Sequence, residues 1–86
     1  MSEEKLIGTI THYYSKIGVA IVDVSDCVSV GDKVKIKGHS TEFEQDIDSI
    51  QVDHGTVNEA NKNDVIGLKV NDKVREGDKL YKINNN

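Results

Sequence analysis

In the run KVKIKGHSTEFEQDI (residues 33–47), Lys33, Lys35 and Lys37 alternate with Val34 and Ile36. After Gly38-His39-Ser40-Thr41, the residues Glu42, Glu44 and Asp46 alternate with Phe43, Gln45 and Ile47. Period-two patterning on both sides of a polar, Gly-containing link predicts two antiparallel strands. Placing Lys37 opposite Glu42 sets Lys35 opposite Glu44, Lys33 opposite Asp46, and Ile36 opposite Phe43 on the buried side. A slip of one residue would turn the apolar set outward, so the register is strongly specified. Each cross-strand ion pair contributes about 0.2–1 kcal/mol, mostly as register specification. The lysine stripe therefore reads as a neutralised outer wall and not as a nucleic-acid face.

The same period recurs on either side. Residues 5–14 (KLIGTITHYY) and 19–24 (VAIVDV) flank Ser15-Lys16-Ile17-Gly18 and predict a hairpin. Strict alternation would put Leu6, Gly8, Ile10, His12 and Tyr14 on one face, and Ile7, Thr9, Thr11 and Tyr13 on the other. Downstream of Phe43 the strand is expected to continue through Ile47, Ile50 and Val52, with a bulge where the apolar phase changes. Asp53-His54-Gly55 forms a turn, and residues 56–62 hold a short strand or one helical turn. Residues 65–70 (VIGLKV) form a strand in which Gly67 marks a bend or a close backbone approach. VSVGDKVKI (28–36) and VREGDKLYKI (74–83) echo each other. In both, Gly allows positive φ and the following Asp bonds nearby backbone N–H groups.

The 86 residues include 24 Val, Ile and Thr but three Leu, two Ala and no Pro, a composition that suits strands better than helices. Six or seven short strands with no helix of useful length need closure to protect their edges. The expected fold is all-β: a single small closed antiparallel β-barrel over residues 6–83, with a flexible N-terminus (1–5) and a frayed tail (84–86). A net charge of -4 disfavours a chain that coats nucleic acid by bulk charge. The lone Cys27 makes no internal disulfide and points to a reducing compartment. No signal peptide follows Met1, and no apolar run approaches the roughly 18 residues of a membrane span. A cytoplasmic protein with no membrane association is expected.

No phosphate-loop, dinucleotide or nucleophile-elbow motif is present. His12, His39, His54 and Cys27 fall in four separate segments without the close ligand pairs of structural zinc sites, so no metal and no cofactor are expected. The paired acids Glu42/Glu44 and Asp46/Asp48 read as a solvated wall. The chain is not expected to be an enzyme. One cluster stands out: Thr11-His12-Tyr13-Tyr14-Ser15-Lys16, at a hairpin end. Aromatic faces beside cations stack bases and hold phosphate, whereas the plainer reading has one tyrosine capping the core and the other covering the rim. Alternation leaves at most one of Tyr13 and Tyr14 free. His54 is a weaker candidate in its turn. Arg75, the single arginine, is available to phosphate or to a neighbouring acid.

The segments IGTITHYYSKIGVAIVDV, VGDKVKIKG, DIDSIQVDHGTVNEANKNDVIGLKV and VREGDKLYKI together resemble the second-domain β-barrel of translation elongation factors of the Tu type. They are most similar to its small stand-alone or appended members, which include the C-terminal barrel of some collagenase-like peptidases. The matched features are Gly8, Val30-Gly31-Asp32, Ile47 to Ile50, Ala60 with Asn63 to Leu68, and Gly77-Asp78. The resemblance implies an elongation factor domain 2-like barrel, which in that family contacts tRNA or the ribosome. It carries over no GTP site and no aminoacyl-binding residues. The expected function is a non-catalytic RNA- or ribosome-associated module in translation, binding tRNA or ribosomal RNA through Tyr13, Tyr14, Lys16 and His54. The alternative is a protein-interaction module that docks an enzyme or partner subunit without nucleic acid.

Overall fold

The structure, a computed structural model, describes residues 2–52 and 55–85. It contains ten strands and no helix among those residues: β1 (Ser2–Tyr14), β2 (Val19–Val24), β3 (Val28–Ser29), β4 (Lys33–Lys37), β5 (Glu42–Asp46), β6 (Ile50–Val52), β7 (Gly55–Val57), β8 (Glu59–Ala60), β9 (Val65–Lys69) and β10 (Lys79–Asn85). Eight form one antiparallel sheet in the order β5-β4-β10-β1-β2-β9-β6-β7, and β3 pairs with β8 in a second, two-stranded sheet. The β4–β5 register is the one the charge pattern dictates, with Lys37↔Glu42, Ile36↔Phe43, Lys35↔Glu44 and Lys33↔Asp46.

The ion pairs run diagonally across that register instead of straight across it. Lys35 Nζ lies 3.1 Å from Glu42 and Lys33 Nζ 4.0 Å from Glu44. Glu4 reaches over from β1 to Lys37 at 3.1 Å and Lys35 at 3.4 Å. The hydrogen bond from Lys37, then the charge of Lys35, hold the Glu4 carboxyl below its ordinary range against an opposing desolvation.

Strict alternation fails in β1. The ladders slip between Leu6 and Gly8 and again between Ile10 and His12. These two bulges let both Ile7 and Ile10, three residues apart, enter the core. Pairing also runs through residues 2–5 and out to Asn85, beyond the expected limits of 6 and 83, because β1 and β10 satisfy each other's backbone groups along that length. Residues 56–62 hold two short strands, β7 and β8. Gly67 sits in a regular ladder between Ile21 and Gln51. Its missing side chain leaves room for Val19 and Ile21 to lie across it.

The expected closed barrel is corrected: among the described residues no ladder joins the edge strands β5 and β7. The expected continuous strand through Ile47 is corrected with it. The chain leaves β5 at Asp46 and enters β6 at Ile50, on the far side of the sheet. Four residue steps span about 14 Å at most, whereas six strand spacings in a flat sheet need about 29 Å. The sheet therefore curls until its two sides approach. The seam is bridged by a side chain. The Gln45 amide, buried, donates from Nε2 to the Lys69 carbonyl and accepts through Oε1 from the Asn71 N–H, both at 2.8 Å.

Inside the curl lies one core, with Ile7, Ile10, Val22, Ile36, Ile50, Ile66 and Leu80 among its fully buried members. Three equivalent turns feed strands into it. Asp32, Asp64 and Asp78 each accept, through the side chain, the backbone N–H three residues earlier (Ser29, Asn61 and Arg75) at 2.8–2.9 Å. The residue before each Asp has positive φ: Gly31 at 94°, Asn63 at 76° and Gly77 at 92°. Two of the three are the sequence echo. The third is disguised because Asn, which tolerates this region, stands where the others have Gly.

Two measurements test this account. Gln45→Leu keeps the volume but strands the Lys69 carbonyl and the Asn71 N–H, and is expected to cost about 2–4 kcal/mol in chemical denaturation. A carboxyl held below its unfolded value stabilises the fold above that value and loses the contribution as pH falls through its folded one. Glu4→Gln should thus lower the melting temperature near neutral pH, and its deficit against the parent should shrink below about pH 4.

Candidate functional site

The β1–β2 hairpin end is built by a four-residue turn. Gly18, with φ 68°, donates to the Tyr14 carbonyl at 2.9 Å, and the Ile17 N–H reaches the same oxygen at 3.2 Å. The Gly18 carbonyl accepts from the Val70 N–H at 2.9 Å, tying the tip to the end of β9. Tyr13, Tyr14, Ser15, Lys16 and Ile17 surround a concavity of about 280 Å³ there. The two tyrosines part as alternation requires. Tyr13 is half-buried and packs against the core, whereas Tyr14 is 48% exposed. The His12 ring meets Tyr14 edge-on, with centroids 4.5 Å apart, and His12 Nδ1 donates to Glu76 Oε2 at 3.2 Å. Lys16 is exposed. His54 lies outside the described residues.

Sequence reasoning missed the surface beside this tip. On the outer side of the sheet Val19 and Ile21 cover Gly67, and with Tyr14, Ile17 and Val65 they line an apolar groove of about 260 Å³. Ile17 is 64% and Val65 60% exposed. A sheet face that meets only water carries polar residues. The signal was present in VAIVDV, where Val19 and Ile21 alternate with the buried Ala20 and Val22, leaving this part of the strand apolar on both faces.

Elsewhere, the Arg75 side chain forms no ion pair among the described residues; its backbone N–H donates to the Asp78 carboxylate and its carbonyl accepts from the Asp78 N–H. Cys27 is exposed, and Asp26 beside it pairs with Lys5. Among the described residues no three or more His, Cys, Asp or Glu gather as a metal site, and no helix is long and apolar enough to cross a membrane.

No family model matches the chain. An uncharacterized protease of Methanocaldococcus jannaschii is 36% identical over 76 residues, 87% of this chain. A collagenase of Porphyromonas gingivalis is 33% identical over 82 residues, 93% of this chain. The chain spans only 19% and 23% of the lengths of these two relatives. The crystal structure of the C-terminal domain of a Geobacillus thermoleovorans protein, assigned to the U32 peptidases, superimposes with a TM-score of 0.88. That match covers 93% of each chain at 23% identity. The chain has the fold of that domain.

These findings correct the expected function. The relatives are a protease and collagenases, so the translation reading, with tRNA or ribosomal RNA as partner, is withdrawn. Tyr13 packs against the core and Tyr14 borders an apolar groove. The separation of the tyrosines is measurable. Tyr13→Ala is expected to cost about 2–4 kcal/mol in urea unfolding, and Tyr14→Ala under about 1 kcal/mol.

Proposed function

We propose that this chain is a protein-interaction module that docks onto the peptidase domain of a U32- or collagenase-type protein and contributes contacts, with the catalysis left to its partner. The observation that carries this reading is the apolar outer groove flanked by Tyr14, Ile17 and Val65. Contiguous exposed apolar surface rimmed by polar residues marks interaction sites in soluble domains. The choice of partner is supported by length, because four-fifths of each matched relative lies outside the region this chain resembles. Lys16 lies at the tip of the same hairpin, beside Ile17. The likeness to the Tu-type barrel is then one of strand patterning, with no ligand attached to it.

Binding between this chain and a U32-type peptidase domain, followed by calorimetry, tests the reading. Ile17→Glu and Val65→Glu, both at exposed positions, should each weaken binding at least about tenfold while melting as the parent does. Lys33→Gln, on the charged wall, should bind unchanged. An apolar contact should also persist between about 0.05 and 0.5 M salt, where exposed charge pairs are screened. Absence of binding, or binding by both Glu variants as tight as the parent's, defeats the proposal.

A further inference from the structure

A third concavity, of about 360 Å³, opens where the edge strand β5 faces the connection from β9 to β10. It lies on the seam that Gln45 bridges. Three properties of its lining converge on one kind of ligand.

The first is free backbone. The Gly38 N–H donates to the Thr41 carbonyl at one end of the β4–β5 hairpin, and the Ile47 N–H donates to the Asp32 carbonyl at the other. Hydrogen-bonded pairs alternate along an antiparallel ladder, so Phe43 and Gln45 bond to β4 while Glu42 and Glu44 turn their N–H and C=O groups away from it. Of the two, Glu42 lines the cleft, and with no strand beyond β5 among the described residues its N–H and C=O are an edge able to accept the end of an extended chain. The second is an apolar wall: Val74 is buried, and Tyr13 and Phe43 pack against the core. The third is charge. Of the two acids at the cleft, Glu42 is paired with Lys35 at 3.1 Å, and Asp72 Oδ1 accepts the Lys73 N–H at 2.8 Å. The side chains of Lys73 and Arg75 make no ion pair among the described residues. The cleft thus holds one ion-paired acid, one carboxylate bonded to a backbone N–H, and two cations without an ion pair among the described residues.

We propose that this cleft binds the C-terminal end of an extended peptide. The last residues of the peptide add to the β5 edge, the terminal side chain packs on Phe43, Val74 and Tyr13, and the terminal carboxylate pairs with Arg75 and Lys73. An arginine fork suits a carboxylate by bidentate hydrogen bonding. A cleft combining backbone edge, apolar wall and cation is selective for a chain end over an internal segment. The site uses residues distinct from the outer groove, so it stands whether or not the docking reading holds.

An amide-shift titration of the labelled chain tests it, with acetyl-Ala-Val-Leu as the free acid, the same peptide as its C-terminal amide, and sodium acetate. The free acid should shift the amides of residues 41–44 and 72–75, and the amide form should bind about tenfold more weakly. Arg75→Gln, which leaves the backbone bond to Asp78 in place, should reduce that difference, and Arg75→Gln together with Lys73→Gln should remove it, without changing the amide form's affinity. Equal binding of acid and amide overturns the proposal, as does a footprint elsewhere or no shift at millimolar peptide. If acetate alone reproduces the shifts of 42–44 at the same affinity, the site is an anion site and the peptide reading fails.

Discussion

Three residues, Ile47 to Ser49, connect strands on opposite sides of an eight-stranded sheet, and the rest of the structure depends on that short link. A flat sheet is incompatible with it, so the sheet curls, and the curl encloses the core. Ile47 anchors the link: it is buried, its N–H donates to Asp32 and its carbonyl accepts from Gly31. The turn before β4 thus holds the exit from β5. Where backbone pairing stops, Gln45 continues it, presenting an amide to Lys69 and Asn71 much as a peptide group would. A side-chain bridge closes less of the seam than a full ladder does. What it leaves open is a cleft at one end and free backbone along β5.

Placement follows from the same geometry. The repeated Asp-capped turn starts β4, β9 and β10, so the sheet is entered the same way three times. Gly38, at the end of β4, passes so close to the Asp78 carboxyl that no side chain fits there. The hairpin end of β1 and β2 is in turn pinned to Val70. The outer apolar groove and the seam cleft therefore rest on rigid strand ends.

The chain is similar to a protease and to collagenases, and it shares the fold of the C-terminal domain of a protein assigned to the U32 peptidases. The resemblance read from Gly8, Val30-Gly31-Asp32 and Gly77-Asp78 pointed to the C-terminal barrel of some collagenase-like peptidases, and the likeness to such a C-terminal domain holds, without the closed barrel. Its translational part does not. The motifs in question are turn and packing residues, which report how a chain folds and carry no ligand chemistry.

The sequence by itself determined the all-β class, the β4–β5 register and two of the three Asp-capped turns. Each rests on local physics: side-chain period, charge opposite charge, and a glycine where φ is positive. It also separated Tyr13 from Tyr14, since neighbours on a strand face opposite ways. It missed the two bulges of β1, because strict alternation says nothing of an inserted residue, and it missed the Asn63 turn because Asn replaces Gly. The break after Asp46, the open seam and the outer groove were decided only by the tertiary structure. Whether a strand continues or crosses depends on which neighbours complete its backbone bonds, and those neighbours are distant in sequence. The half-burial of Val19 and Ile21 depends likewise on what the curled sheet leaves uncovered.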